Sequence, residues 1–444
     1  MAAALARRGD LHDPLTIALL RATPNTDAAL EAMLAKARRD LLTEGEGDLA
    51  FAAALAWQCF LNEYVFWQDA GETAQANALK TRLEAALAAG GVVPPSWVVA
   101  AACYFPLSSL ANAALLRQRS WPDVVTALLV QQIDEPAEEK RLAAALPVLT
   151  PLGEGVSQAV RAQYEENPYP RWGRIPDDGP QVTLAAHLQA KFPHAALDGL
   201  PGAPQILSAG CGTGPFALGL ARRVSHASLT AVDLSRTSLA YAARKAAEAG
   251  IDAGFGQADI LAIAALDRRF DVIEASGVLH HMADPFAGWR ALLGQLNPDG
   301  LMLLGFYSAA ARRTVTAARA WIAREGFTAS ADGIRACRRR MMAEPDGPFA
   351  PLLAWPDFYS ISAARDLLFH AQETCLTLDE IAAFLGAHDL DFVGFEIGET
   401  VLAAYRARFP DDAAATNLAH WQAFEADHPD TFAAMYQFWV RRRI

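Results

Sequence analysis

From residue 204 the chain alternates short apolar runs with helix-forming stretches, and this alternation constrains the fold more than any other feature of the sequence. QILSAG, SLTAVDLS, AGFGQADI, FDVIEASGVL and GLMLLGFYS read as strands, and PFALGLARRV, RTSLAYAARKAAEAG and PFAGWRALLGQL as helices between them. Strands this apolar are buried on both faces, and parallel neighbours need crossover helices. The pattern therefore predicts a parallel sheet covered on both sides. Further on, Thr377 to Glu380 (TLDE) offer a capping box for another helix, and DLDFVGFEI reads as a sixth strand. Residues 399–431 read as helical. MYQFWVRRR reads as a late strand that returns antiparallel to the sixth.

The first turn of this region, ILSAGCGTGPFALGLA, sets Gly210, Gly212 and Gly214 on alternate positions where a strand gives way to a helix. Glycine permits a sharp turn and lets a ligand approach the backbone, and open parallel sheets bind ligands at this end of their strands. A dinucleotide site uses GxGxxG with the pyrophosphate on the helix N-terminus. Here the third glycine comes one residue early. Pro215, with no N–H to offer a phosphate, holds the position that would complete that motif. Asp233, 19 residues past Gly214 at the end of the second strand, suits the two hydroxyls of a ribose. Asp259, at the end of the third, suits the amino group of an adenine. Together they describe a nucleoside site without a phosphate site. S-adenosylmethionine matches that description better than a nicotinamide dinucleotide.

With 444 residues, 52% of them hydrophobic, the chain can build a sizeable core in two or three domains. Residues 1–150 read as a helical accessory domain rich in Ala and Leu, with breaks near Gly45, Gly90 and Pro147. Residues 151–203 read as a linker whose aromatics, Tyr164, Tyr169 and Trp172, are unusual for a spacer, so it is expected to pack on the cofactor site. Residues 204–444 form the third part, with helical insertions near 309–376 and 399–431. The five cysteines are far apart and form no CxxC pair, which argues against a zinc site and a disulfide framework. Neither a secretory leader nor an apolar run of about 18 residues is present, so the expectation is a cytoplasmic protein without a membrane span. A net charge of −12 argues against nucleic acid as a partner. The basic runs Arg338–Arg340 and Arg441–Arg443 read as solvated ends of elements.

Residues 204–308 resemble the core of the class I S-adenosylmethionine-dependent methyltransferases. AGCGTG is similar to their first motif, Asp233 with Leu234 to their ribose contact, Asp259 with Ile260 to their adenine contact, and GVLHHMADP to the loop after their fourth strand. QYEENPYPRW, ARDLLFHAQE and MYQFW resemble segments of bacterial methyltransferases that carry an N-terminal helical region of tetratricopeptide type. The resemblance implies an α/β fold: a Rossmann-like core with a mostly parallel seven-stranded sheet, an all-α N-terminal domain and helical insertions. It implies that Ser208, Gly210, Cys211, Gly212 and Gly214 line the cofactor. Many members carry an acid two residues before the first glycine, facing the cofactor's amino group, and Ser208 stands there in this chain. Tyr164 and Arg171 from the aromatic linker are the candidates for that end of the cofactor, the guanidinium fork suiting a carboxylate. NPYP at Asn167 lies too far before the first strand to act as the (N/D)PP(Y/F) motif of base methyltransferases.

His280 and His281 follow the fourth strand, beside the expected methyl-transfer centre. A histidine there suits removal of a proton from an O–H or N–H acceptor near neutral pH. The plainer alternative is that one packs the loop and the other is solvated. Asp366, His370 and Glu373 fall at i, i+4 and i+7, one face of a helix. Tyr169, His370 and Glu373 are the candidates to line an acceptor pocket. The spacing lacks the logic of a metal motif, and none is expected to be bound there. Cys211 reads as packing within the glycine loop. The leading expectation is methyl transfer to a small molecule or natural product. A protein methyltransferase that docks its target on the helical domain and a non-catalytic cofactor-binding regulator are the alternatives. The oligomeric state is left open.

Overall fold

A computed structural model describes residues 11–44, 48–153, 155–166, 168–175, 179–197, 199–370 and 372–443. Gly45 and Asn167, each singled out in the sequence, lie outside the described residues. The chain divides into two compact units. One comprises Met1–Arg141, Pro170–Arg174 and Ala317–His370, and the other Leu142–Tyr169, Ile175–Thr316 and Ala371–Ile444.

The first unit is helical. Its helices begin where aspartates satisfy the first backbone donors: Asp13 accepts from Leu15 N at 2.7 Å, Asp48 from Ala50 N at 2.9 Å and Asp69 from Glu72 N at 2.8 Å. Asp123–Leu129 starts differently. Pro122 occupies the cap position without a side-chain bond. Helix Leu49–Leu61 is buried along most of its length and packs with Leu83, Val98 and Val125 in one apolar core. Segment 317–370 joins this unit through charge as well as packing. Arg338 is fully buried, with Nη2 2.8 Å from Glu31 and Nη1 3.1 Å from the Val65 carbonyl. The Arg338–Arg340 run is therefore not a solvated end at its first residue, because Glu31 supplies the partner that burial of a guanidinium requires.

The second unit is built on one sheet. Strands β1 (Gln205–Ala209), β2 (Ser228–Asp233), β3 (Ala253–Gln257), β4 (Phe270–Ser276) and β5 (Leu296–Ser308) follow the expected runs. β6 (Cys375–Leu376), β7 (Leu390–Phe395) and β8 (Tyr436–Arg442) complete it. The order is β3-β2-β1-β4-β5-β8-β7, with the two-residue β6 attached beside β5. All pairings from β3 to β5 are parallel. β8 runs antiparallel to both β5 and β7 and lies between them. The antiparallel return of the last strand on DLDFVGFEI is thus observed, and the mostly parallel α/β class is the fold of this unit. Leu207, Val232, Ile273, Trp289, Phe306, Phe384 and Phe438 form its core, with Trp289 and Phe384 stacked at 4.0 Å. Strand order reverses between β1 and β4, so their carboxyl ends open a crevice there.

Candidate functional site

The crevice is lined by the loops that leave β1, β2 and β4. Gly210, Gly212 and Gly214 all have positive φ, and the helix Pro215–Arg223 starts immediately after them. Two of the three are fixed by the chain's own close approach. A Cβ on Gly210 would collide with the side chain of Val278 in the β4 loop, and one on Gly212 would lie 2.8 Å from the Tyr169 carbonyl. That carbonyl also accepts from Thr213 N at 3.4 Å. Tyr169 therefore meets the glycine loop through its backbone.

Asp233 ends β2 and folds back on this loop. Oδ2 accepts from Gly212 N and Oδ1 from Ser235 N, both at 2.8 Å. Burial raises its carboxyl above the ordinary value, against the lowering effect of the N–H bonds from Ser235 and Gly212. A carboxylate has about four lone-pair directions, so acceptor capacity remains for a ligand hydroxyl. Leu234, next to it, is half-buried and gives its carbonyl to Gln257 Nε2 at 2.7 Å. Asp259 is buried; its Oδ1 accepts from Leu261 N at 2.9 Å and its Oδ2 from Gly153 N at 3.1 Å. Ile260 packs into the sheet core. Segment 147–153 runs along the end of β3, where Leu149 N donates to the Gln257 carbonyl at 2.8 Å and Asp259 N to Thr150 Oγ1 at 2.8 Å. Helix Val156–Glu166 follows. Its Glu165 accepts from Arg236 N at 2.7 Å, and the Tyr164 carbonyl accepts from Ser235 Oγ at 3.1 Å.

Ser208 faces a residue that the sequence reading missed. In the β1–β4 register Ser208 stands opposite Glu274, and its hydroxyl donates to Glu274 Oε2. Glu274 Oε1 accepts from Ser276 N at 2.8 Å. Both residues are buried. Burial pushes the Glu274 carboxyl up to about 7, with the Ser208 and Ser276 bonds opposing the rise. Burial first, then the charges of Asp233 and Glu274, push the Cys211 thiol well up, so it is no nucleophile. The signal for Glu274 was an acid flanked by Val272, Ile273 and Ala275 inside FDVIEAS.

His280 and His281 are both buried, which excludes the reading in which one is solvated. His281 Nδ1 lies 3.0 Å from the Gln372 carbonyl, an acceptor only, so Nδ1 carries the proton and Nε2 the lone pair in the neutral ring. His281 Nε2 lies 3.1 Å from His280 Nε2 and 3.4 Å from the Tyr164 hydroxyl. His280 also packs on Tyr307, with ring centres 4.1 Å apart, and its carbonyl accepts from Thr374 N at 2.8 Å. Tyr164 is thus brought to the β4 loop, while its helix touches the residues after Asp233.

Two expected positions, Glu373 and Arg171, make pairs of their own. Helix Ile361–Phe369 ends before His370, whose ψ of 137° is extended, so Glu373 does not continue the face of Asp366 and His370. Glu373 instead forms a buried pair with Arg312, Nη2–Oε2 2.9 Å and Nε–Oε1 3.3 Å, and Arg312 stacks over Tyr307 at 3.4 Å. His370 pairs with Asp366 at 3.8 Å. Arg171 gives its Nε to Glu63 at 3.2 Å and stacks over Phe60 at 5.3 Å.

Residues 206–300 match the family model described as a methyltransferase domain. An uncharacterized protein of Synechococcus sp. is 34% identical over 167 residues, 36% of this chain and 40% of that protein. A ubiquinone biosynthesis O-methyltransferase of Alkalilimnicola ehrlichii is 32% identical over 114 residues, 26% of this chain and 45% of the enzyme. The chain thus spans less than half the length of these curated relatives. A solved structure of PKMT2 from Rickettsia typhi is 16% identical, covers 60% of this chain and 54% of its own, and has a TM-score of 0.45. The sheet order, glycine loop and family match define a class I methyltransferase domain over residues 206–300, and S-adenosylmethionine is the cofactor of that class. The match leaves the N-terminal helices uncovered, so a tetratricopeptide character for them is not established. Among the described residues no helix is long and apolar enough to cross a membrane.

Proposed function

We propose that the chain transfers a methyl group from S-adenosylmethionine to a hydroxyl of a small molecule, with His281 as the base. The residues present fit the cofactor: a glycine loop with positive φ, Asp233 with unused acceptor directions, and buried carboxylates at the strand ends. In this reading Asp233 accepts the ribose hydroxyls, and Asp259, with Ile260 behind it, accepts the adenine amino group. Segment 147–153 covers that end. When bound, the cofactor supplies an electrophilic methyl carbon. The chain's task is then to align an acceptor oxygen and take its proton.

The observation that carries the proposal is the 3.0 Å contact between His281 Nδ1 and the Gln372 carbonyl, from which the tautomer follows. The Gln372 carbonyl holds the proton on Nδ1, which directs the Nε2 lone pair toward Tyr164 and His280. A fixed imidazole of this kind serves an acceptor that must lose a proton, as a hydroxyl does. The ubiquinone biosynthesis O-methyltransferases among the relatives act on a small molecule by name, which favours that class.

Incubation of lysate with S-adenosylmethionine labelled on the methyl group tests the reading. Label in the small-molecule fraction, lost with His281→Ala, is the expected result. Label confined to protein would replace the small-molecule reading with the protein one.

A further inference from the structure

Glu274 is a buried carboxylate without a cation. Its two bonds come from a hydroxyl, Ser208 Oγ, and a backbone N–H, Ser276 N, and among the described residues no Lys, Arg or His forms an ion pair with it. A buried charge without a countercharge is costly, and proteins usually pair such a group or neutralise it. Its neighbours add no positive charge. The Cys211 thiol of the glycine loop feels the charge of Glu274 and of Asp233, both negative. Ser276 Oγ, on the far side, accepts from Gln437 Nε2 at 2.9 Å, a neutral amide. Glu274 stands at the carboxyl end of β4 and Ser208 at that of β1, the point where strand order reverses. Two carboxylates, Asp233 and Glu274, thus lie close enough to the glycine loop to act on Cys211, and of these two only Asp233 has a role in the reading above.

We propose that Glu274 receives the α-ammonium group of the cofactor, with Ser208 holding the carboxylate in place. The inference rests on the cofactor reading given under Proposed function. The amino-acid end of S-adenosylmethionine carries an ammonium with three donors, whereas its sulfonium has none. A carboxylate already oriented by a hydroxyl and an N–H suits the donor-bearing cation. Two of its roughly four lone-pair directions are used, which leaves acceptor capacity for that group. Burial beside the loop makes the bond charge-assisted and poorly screened. Ser208 is the positioning residue, because its hydroxyl holds the Glu274 carboxylate.

Calorimetric titration with S-adenosylhomocysteine and with methylthioadenosine separates the alternatives. Both carry the adenosine and the thioether, and only the first carries the ammonium. Glu274→Gln keeps the size and the Ser208 contact, and removes the charge. Its affinity for S-adenosylhomocysteine is expected to fall about tenfold or more, the usual scale of a charge-assisted bond, while that for methylthioadenosine is unchanged. Ser208→Asp placed in the Glu274→Gln protein is expected to restore part of the loss, since it returns a carboxylate to the same point. Equal losses for both ligands, or no loss for either, would overturn the assignment. A loss seen with S-adenosylmethionine and not with S-adenosylhomocysteine would move the charge contact to the sulfonium and overturn it as well. Wild-type protein that binds none of these ligands would instead overturn the cofactor reading, and the inference with it.

Discussion

The Nδ1 atom of His281 is held 3.0 Å from the carbonyl oxygen of Gln372, so one backbone group decides which ring nitrogen can take a proton. Gln372 lies three residues before β6, and the strand beside β5 is what brings its segment to the β4 loop.

If His281 takes the acceptor's proton, His281→Ala lowers kcat by about 100-fold to 10,000-fold, the usual contribution of a positioned base. Binding of S-adenosylhomocysteine is unchanged, since the adenosine contacts lie elsewhere. Turnover and calorimetric affinity measured on the same preparation check this. An unchanged kcat would leave alignment alone to carry the reaction.

Arg312 and Glu373 are both buried, so removing one leaves the other without its countercharge. Arg312→Ala is expected to destabilise the protein by about 3–5 kcal/mol, the cost of breaking such a pair. Replacing both by methionine recovers most of that. Urea unfolding midpoints of the single and double variants provide the comparison. A single variant as stable as the wild type would mean that the pair is solvated in the folded protein.

Glu274 gives the ligand-free protein a pH dependence of definite sign. Its carboxyl is pushed up to about 7 in the fold by burial and returns to about 4.3 when the chain unfolds. Between those values the native state holds the extra proton, so stability falls as pH rises and levels off above about 7. Asp233, also raised by burial, acts in the same sense at lower pH. Thermal midpoints between pH 5 and 8 should fall less in Glu274→Gln than in the wild type. Identical slopes would show that Glu274 is ionised throughout.

The sheet was legible because its strands are apolar runs bounded by turn residues, and the capping box at Thr377 and Glu380 is present as spaced. The glycine loop and Asp233 were legible for the same local reason. Elements that depend on distant partners were not. β6 is two residues long and exists only through its pairing with β5. Arg338 reads as a surface charge until Glu31, 307 positions away, is seen beside it. Helical spacing placed Glu373 with Asp366 and His370, but the helix stops at Phe369. Ser208 was legible as a departure from the family pattern, whereas its partner Glu274 required the β1–β4 register.

Thermal unfolding with S-adenosylhomocysteine, S-adenosylmethionine or NAD added in turn tests the central claim most directly. A ligand at 100 times its dissociation constant stabilises the native state by about 2.7 kcal/mol, enough to raise the midpoint visibly. The expected result is a shift with both sulfur ligands, none with NAD, and loss of the shift in Asp233→Ala. No shift with either sulfur ligand, or a shift with NAD alone, would contradict the account.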